Sequence, residues 1–284
     1  INDANGNANG KLDPGETAEL EITVDNTGSA DAFAVSGLLS VSSAYVSIDE
    51  SNLTFGDITA GGSVSRSFTI TADALTPSGH SAPFMLELNA NLGINGNGEF
   101  SIVIGQIPVL VIDLDGNANS AAEMITCFEN LGVTSDMVTS WPDDMNLYSS
   151  IFVCLGVYPD NAVLSTSEGQ ELADFLNQGG RLYMEGGDTW YYDDATAVHP
   201  MFGITAMSDG SDDLFSLTGM EGTFTEEMIY DYSGENSWID KIVPNGDAFM
   251  IFENEDPTYG TVIANMGPTY RTIGTSHEFG GLDD

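Results

Sequence analysis

Residues 108–132 read PVLVIDLDGNANSAAEMITCFENLG, and this stretch decides the fold of the second half of the chain. The run from Pro108 to Ile112 is continuously apolar, as in a strand that is covered on both faces. The residues that follow have the apolar spacing of an amphipathic helix, which we expect Gly132 to end. A buried strand followed by a helix is the repeating unit of a parallel sheet.

Two further strand-like runs and a second helix follow along the chain. They are SSIFVCLG at residues 149–156, STSEGQELADFLNQGG at residues 165–180 and RLYMEGG at residues 181–187. Ser165 and Glu168 form the sequence signature of a capping box at the start of this helix. The alternation predicts a parallel sheet with right-handed crossovers in an α/β domain over residues 107–284. After Trp190 the pattern changes to shorter strands, some of them antiparallel.

The first half of the chain has a different pattern, in which apolar and polar residues alternate over short runs. AELEITVDN at residues 18–26 is one example, and similar runs separated by turn residues continue to residue 105. Short strands without a helical pattern predict an antiparallel sandwich, here over residues 1–106. We therefore expect two domains, an all-β sandwich followed by an α/β domain.

The chain opens with oxygen-bearing residues at the spacing of a calcium loop. The candidate ligands are Asp3, Asn5, Asn7, Asn9, Lys11 through its carbonyl, Asp13 and Glu16. With Asn5 as the first position, Gly10 and Glu16 fall at the sixth and twelfth positions of an EF-hand-type loop. Asn5 stands where Asp is usual, and Asp3 can supply the missing charge. The alternative is a polar, glycine-rich loop without a metal.

The charge of the chain restricts its partners. It has 44 acidic and 5 basic residues, for a formal net charge of -39. A surface this negative repels phosphate, so nucleic acid and anionic membranes are poor partners, and no apolar stretch is long enough to insert into a membrane. The charge attracts divalent cations, although adaptation to a salty or extracellular medium also explains it. The chain begins inside a polar loop and ends at Asp284, so we expect a fragment of a longer protein with its last element missing.

The two cysteines leave their pairing open. Cys127 falls on the apolar side of the first predicted helix, and Cys154 falls within a predicted strand. They form either one disulfide or two buried free thiols, because spacing alone does not decide between these.

Two resemblances emerge from these motifs. NGNANGKLDPGETAELEITVDNTGSADA, residues 5–32, resembles the start of immunoglobulin-like modules that follow secreted bacterial peptidases, including gingipain-like cysteine peptidases. The second half is similar to flavodoxin-like, class I glutamine-amidotransferase-like modules, through VLVIDLDGN, SIFVCLGVYPDN, GGRLYMEGGDTWY and TIGTSHEFGGL. Such pairings are typical of Bacteroidetes type IX secretion cargo. The resemblance implies an immunoglobulin-like sandwich, a flavodoxin-like domain and an accessory role outside the cell.

The resemblance does not bring the catalytic residues with it. Active amidotransferases carry a Cys at the sharp turn after a central strand, and Glu185 occupies that position here. Neither cysteine lies in such a turn, and the gingipain-type Cys–His pair is missing. We therefore expect the fold without the enzyme.

Two groups of polar residues follow the predicted parallel strands. Asp113, Asp115, Asn117 and Asn119 follow the first strand and form either a cation site or a loop capped by Asn119 or Ser120. The second group forms either a cleft for a metal or acid–base chemistry, with aromatics for sugar stacking, or a hydrogen-bonded structural loop. Its members are Glu185, Asp188 and His199, with Trp190, Tyr191 and Tyr192 beside them and His277 and Glu278 from the end of the chain.

We expect a non-catalytic extracellular accessory module, adhesive or structural, stabilised by calcium and belonging to a larger secreted or cell-surface protein. Its partners would be other domains of that protein, and glycans or other surface proteins are further candidates. The alternative is a hydrolase or carbohydrate-binding domain that uses the cleft of Glu185, Asp188 and His199.

Overall fold

A computed structural model describes residues 1–283 of the chain, which forms two units. The first unit, Ile1–Ile107, is built from strands in which buried apolar side chains alternate with exposed ones. Its strands are β1 Thr17–Asp25, β2 Ala32–Val41, β3 Val46–Ile48, β4 Asn52–Ile58, β5 Ser63–Ala72, β6 His80–Asn89 and β7 Asn95–Ile104. They form a three-stranded sheet, β1-β5-β3, and a four-stranded sheet, β4-β2-β6-β7. In β6, Ala82, Phe84 and Leu86 are buried while their neighbours are not, and they join Phe55 and Phe68 in one core.

The second unit, Pro108–Asp284, is organised around one mixed sheet of ten strands within the described residues. Its strands are β8 Ile107–Asp113, β9 Ser135–Val138, β10 Tyr148–Cys154, β11 Arg181–Glu185, β12 Ile204–Ser208, β13 Ser216–Gly219, β14 Ile229–Tyr232, β15 Lys241–Pro244, β16 Phe249–Asn254, β17 Tyr259–Met266, β18 Arg271–Thr275 and β19 Leu282–Asp283. The sheet order is β19-β14-β13-β16-β17-β18-β11-β10-β8-β9, and β12 pairs separately with β15.

The ten-stranded sheet has a parallel half and an antiparallel half. The pairs β8–β9, β10–β11 and β11–β18 are parallel. From β18 through β17, β16, β13 and β14 to β19, every pair is antiparallel. β18 therefore joins the two halves, since it pairs in parallel with β11 and antiparallel with β17.

Two α-helices, α1 Asn119–Leu131 and α2 Thr166–Asn177, pack on the parallel half. Val109 and Val111 of β8 pack with α1, whereas the alternate residues Leu110 and Ile112 pack with α2, so the helices cover opposite faces. The predicted capping box of α2 is confirmed, with both reciprocal hydrogen bonds present. Gly132 ends α1 in the left-handed conformation, also as predicted. No helix within residues 1–283 is long and apolar enough to cross a membrane.

The predicted fold class, an immunoglobulin-like sandwich followed by an α/β flavodoxin-like domain, is wrong. The chain is mostly β, with 43% strand and 13% helix, and its second unit holds a large mixed sheet. After β11, a flavodoxin-like domain would continue with further helices and parallel strands. Here residues 204–266 instead form hairpins that add antiparallel strands beyond β18. The three strands and two helices read from the start of this unit therefore describe only the parallel half of the sheet.

The contact between α2 and the sheet provides a test of this packing. Leu176 is fully buried against the parallel half, so Leu176→Ala should lower the free energy of unfolding by about 2–5 kcal/mol through lost burial and a residual cavity. Leu131→Ala is the control, because Leu131 is 75% exposed on α1. All 3 tryptophans lie in the second unit, so tryptophan fluorescence during urea unfolding reports on this unit. Equal effects of the two changes would contradict the packing.

Candidate functional site

The N-terminal loop, residues 2–16, is fixed by short bridges to β1 and to the end of β7. Asp3 lies inside this loop and is only 4% exposed. Its two carboxylate oxygens accept the backbone N–H groups of Asn9 at 2.7 Å and Gly10 at 3.0 Å. Asp3 therefore acts as an internal brace that holds the loop backbone.

A second pair of carboxylates draws the polar side chains of the loop together. Asp13 Oδ2 accepts the side-chain amides of Asn7 at 2.6 Å and Asn9 at 2.8 Å. The two oxygens of Glu16 accept the N–H groups of Asn7 and Asp13, both at 3.0 Å. Gly6 is required here, because a Cβ at that position would overlap Glu16 Oε1.

The donor set of this loop fits calcium. A cavity of about 480 Å³ lies beside it, lined by Asn5 as well as Asn7 and Asp13. Within residues 1–283, no three His, Cys, Asp or Glu side chains are already arranged to hold a metal ion. Calcium also accepts amide and backbone carbonyl oxygens, however. A half-turn of the Asn7 and Asn9 amides would present their oxygens where their nitrogens now meet Asp13. Lys11 donates its N–H to Asn9 Oδ1 at 2.9 Å, which keeps it within the same loop.

A second candidate site lies at the carboxyl ends of the parallel strands, where α/β sheets usually bind ligands. Asp113, Cys154 and Glu185 are the last residues of β8, β10 and β11, which are neighbours in the sheet. Cys154 and Glu185 are register partners. Asp113 is 6% exposed and Glu185 is fully buried, so this edge places carboxylates inside the protein.

Glu185 is the most enclosed of these carboxylates. Its Oε2 accepts the hydroxyl of Tyr183 at 2.7 Å and the N–H of Phe279 at 2.9 Å. Its Oε1 is buried and has no hydrogen-bond partner. Burial raises the pKa of Glu185 to about 7, although the hydrogen bonds that it accepts from Tyr183 and Phe279 lower it in part. A group sealed in this way has no open path to a substrate.

The loop after β8 adds a further carboxylate. Asp115 is 8% exposed and lies so close to Gly156 that a Cβ there would overlap its Oδ1. Asp113 Oδ1 and Asp115 Oδ2 are both buried without a hydrogen-bond partner. Burial raises the pKa of both carboxyl groups, and for Asp113 the neighbouring charge of Asp115 adds to this. The predicted cap at Asn119 or Ser120 is wrong, since α1 begins after Ala118, which makes no side-chain cap.

Two glutamates from distant parts of the chain complete this edge. The Asn117 side-chain amide donates to Glu235 Oε2 at 2.9 Å and to Glu278 Oε1 at 3.5 Å. The Asn119 amide donates to Glu278 Oε2 at 3.0 Å. Glu278 is fully buried. We call the five carboxylates of this region the acidic edge. Its members are Asp113, Asp115, Glu185, Glu235 and Glu278.

Asp188 belongs to a different group of carboxylates. Burial, followed by the charge of Asp209, raises the pKa of Asp188. The fully buried Asp240 accepts the N–H groups of Trp190 at 2.8 Å and Tyr191 at 2.9 Å through Oδ2, whereas its Oδ1 has no partner. Burial raises the pKa of Asp240 to about 8, and the charges of Asp209 and Asp188 contribute to the increase.

His199 lies in a third environment. Its Nδ1 meets the N–H of Thr196 at 2.9 Å, and its ring packs edge-on against Trp190 with ring centroids 5.7 Å apart. Burial lowers the pKa of His199 and favours the neutral imidazole. The alternative cleft requires Glu185, Asp188 and His199 to converge. The hydrogen bonds of Glu185 go to Tyr183 and Phe279, whereas Trp190 contacts both His199 and Asp240, which lies near Asp188. Trp190 also packs against Phe202 rather than presenting a free face for a sugar.

Sequence reasoning missed several members of these clusters. Glu235, Asp209 and Asp240 lie in the irregular region after β11, and no spacing in the sequence links them to Asp113 or Asp188. They become neighbours only when the hairpins fold back onto the sheet. Of the residues predicted to share a cleft with Glu278, Glu185 lies near it, and Asp115 and Glu235 also contribute to its surroundings.

Both cysteines are free thiols, so the disulfide alternative does not hold. Cys127 is exposed, contrary to its predicted burial, and Cys154 is fully buried. Burial and the neighbouring charge of Glu185 raise the pKa of Cys154, which disfavours the reactive thiolate. The environment of Cys154 therefore does not activate it as a nucleophile.

Comparison with known proteins finds only distant structural likenesses. No family model and no curated protein matches the chain. An exo-β-1,4-mannosidase from Opitutaceae bacterium strain TAV5 is 12% identical with a TM-score of 0.45, and the match covers 61% of this chain and 31% of that one. A ThuA-like protein from Parabacteroides merdae is 10% identical with a TM-score of 0.44, covering 60% of this chain and 79% of that one.

A third likeness concerns a smaller part of the chain. A FixG-related protein from Vibrio parahaemolyticus is 13% identical with a TM-score of 0.23, and the match covers 32% of this chain and 80% of that one. Of the mannosidase named above, the match covers about a third of the length. At these scores the likenesses carry no argument about activity.

The buried Asp240 predicts a pH-dependent stability. Its pKa is about 8 in the folded chain and 3.8 in the reference state, so the folded protein binds more protons between these values and loses stability as pH rises. Asp240→Asn removes this loss and keeps acceptors for Trp190 and Tyr191. We expect the melting temperature of the variant, relative to that of wild type, to increase by at least about 4 °C as the pH rises from about 4 to about 8. A constant difference across this range would contradict the assignment.

The two thiols should differ in accessibility. In the native protein, a thiol-alkylating reagent should modify the exposed Cys127 and spare the buried Cys154, whereas both should react in denaturant. Mass spectrometry of peptides from native and denatured samples identifies the modified residue. Rapid native modification of Cys154 would mean that the sheet edge opens.

Proposed function

We propose that this chain is a non-catalytic, calcium-stabilised accessory module of a larger secreted or cell-surface protein. The observation that carries the proposal is the convergence of Asn7, Asn9, Asp13 and Glu16 in the N-terminal loop. Two carboxylates and several amide oxygens in one short loop are the ligand types that calcium prefers. Calcium bound there would hold the first sixteen residues against the sheets of the first unit.

The charge of the chain supports a location outside the cell. With 44 acidic and 5 basic residues, most carboxylates have no basic partner and depend on solvent and cations. Among the described residues, one salt bridge forms, between Lys241 and Asp213 at 2.7 Å. The proposed type IX secretion route rests on the opening motif and its resemblance to modules of such cargo proteins.

Exposed apolar side chains support a role in contact with other domains. Met207, Phe215, Phe224 and Ile229 of the second unit are each more than half exposed. Exposed apolar side chains of this size are available for contact with a partner. Other domains of the parent protein, glycans or other surface proteins are the partners we propose.

The described geometry favours this role over catalysis. A general acid or base must reach a substrate within hydrogen-bond distance. Glu185 and Asp240 have the most strongly perturbed carboxyl groups, yet both are fully buried. Their hydrogen bonds brace the loops at the sheet edge, which is a structural task.

Calcium should stabilise the first unit through Glu16. At a hundredfold excess over its dissociation constant, a ligand that binds only the folded state adds about 2.7 kcal/mol to the free energy of unfolding. Calcium should therefore raise the melting temperature of the first unit in calorimetry. Tryptophan fluorescence does not follow this unit, because all 3 tryptophans lie in the second. Glu16→Gln should remove most of this increase. The same charge change in Glu99→Gln should leave it intact, because Glu99 is exposed on β7. Unfolding of Glu16→Gln that responds to calcium and chelator like wild type would refute the loop as a calcium site.

A further inference from the structure

The acidic edge of the second unit has no basic residue to balance it. Arg181 and Arg271 are the first residues of β11 and β18, and they therefore lie at the opposite ends of these strands. Lys241 is paired with Asp213. The negative charges of the acidic edge consequently need a compensating group that the side chains of this region do not provide.

Three carboxylate oxygens in the acidic edge are buried without a hydrogen-bond partner. They are Asp113 Oδ1, Asp115 Oδ2 and Glu185 Oε1. Their residues are 6%, 8% and 0% exposed, respectively. These oxygens therefore need a hydrogen-bond donor or a cation that the described side chains do not supply.

Asp115, Glu235 and Glu278 are linked through Asn117, whose backbone N–H donates to Asp115 Oδ1 at 3.2 Å and whose side-chain amide donates to both glutamates. Burial raises the pKa of both glutamates, and the charge of Asp115 raises each of them further. Glu278 is also raised by the charge of Glu235, so the three carboxylates repel one another pairwise. Mutual repulsion of this kind is relieved by a bound cation.

The Asn117 amide now occupies the position between these carboxylates. It donates to Glu235 and Glu278 at 2.9 and 3.5 Å, which explains why the acids are not already gathered as a ligand set. The Asn119 amide makes the corresponding bond to Glu278. A half-turn of either amide would replace a nitrogen by an oxygen that calcium accepts.

We propose that the acidic edge binds a divalent cation of the calcium type, with Asp115, Glu235 and Glu278 as charged ligands and Asn117 as a neutral ligand. The site belongs to the second unit, whereas the N-terminal loop belongs to the first. The side-chain amide nitrogens of Asn117 and Asn119 now hold Glu235 and Glu278 in place. A bound cation would take over this role and would also contact Asp115.

Terbium ion, a luminescent substitute for calcium, distinguishes this site from the loop. The Tyr232 hydroxyl donates to the Glu235 carbonyl at 2.8 Å and lies 3.5 Å from the Glu278 nitrogen. Tyrosine excitation should therefore sensitise terbium bound at the acidic edge. Residues 1–16 contain no tyrosine or tryptophan. We expect sensitised emission from the full chain, and we expect calcium to compete it away.

Matched variants assign the signal to its ligands. Asp115→Asn should weaken terbium binding by at least about tenfold, and Glu235→Gln, a change at a half-buried rim residue, provides a second test that leaves the core intact. Asp143→Asn, at an exposed residue, and Glu16→Gln should retain wild-type affinity. Absent emission, or equal affinity in all four variants, would overturn the proposal.

Discussion

The parallel pairing of β11 with β18 is the constraint on which the second unit depends. It sets Glu185 opposite Thr275 and directs the residues after β18 across the ends of β8 and β10. As a result, Phe279 donates to Glu185 and Gly280 donates to Ser120 at the start of α1. Without this pairing the antiparallel half would have no edge to extend, and Glu278 would not reach the loop after β8.

The same arrangement explains why carboxylates are buried at this edge. The segment after β18 covers the end of β11, because Phe279 donates to Glu185, and Asp113 at the end of β8 is also removed from water. Desolvation disfavours their charged forms, and backbone N–H groups compensate only partly. An unfavourable charge that a fold retains in this way indicates either a bound cation or a held proton.

The two units use carboxylates in opposite ways. In the N-terminal loop, Asp3, Asp13 and Glu16 accept backbone and amide N–H groups within one short segment, so local spacing is sufficient to build it. In the acidic edge, Asp115 and Glu278 come from segments more than a hundred residues apart in the sequence. A local motif can be read from its spacing, whereas a site assembled by sheet topology cannot.

The sequence by itself determined the local elements: the buried strands, the capping box at Ser165 and Glu168, and the end of α1 at Gly132. These depend on apolar periodicity and on hydrogen bonds between near neighbours. Asn95–Gly98 consists of residues that favour turns, yet it lies inside β7, because cross-strand pairing with β6 outweighs turn preference there. Only the tertiary structure decided the order of strands in the mixed sheet. It also placed Glu185 in the acidic edge, which does not include Asp188 or His199. Strand order depends on long-range pairing, and nothing in the spacing of residues 204–266 specifies beside which strand each hairpin will lie.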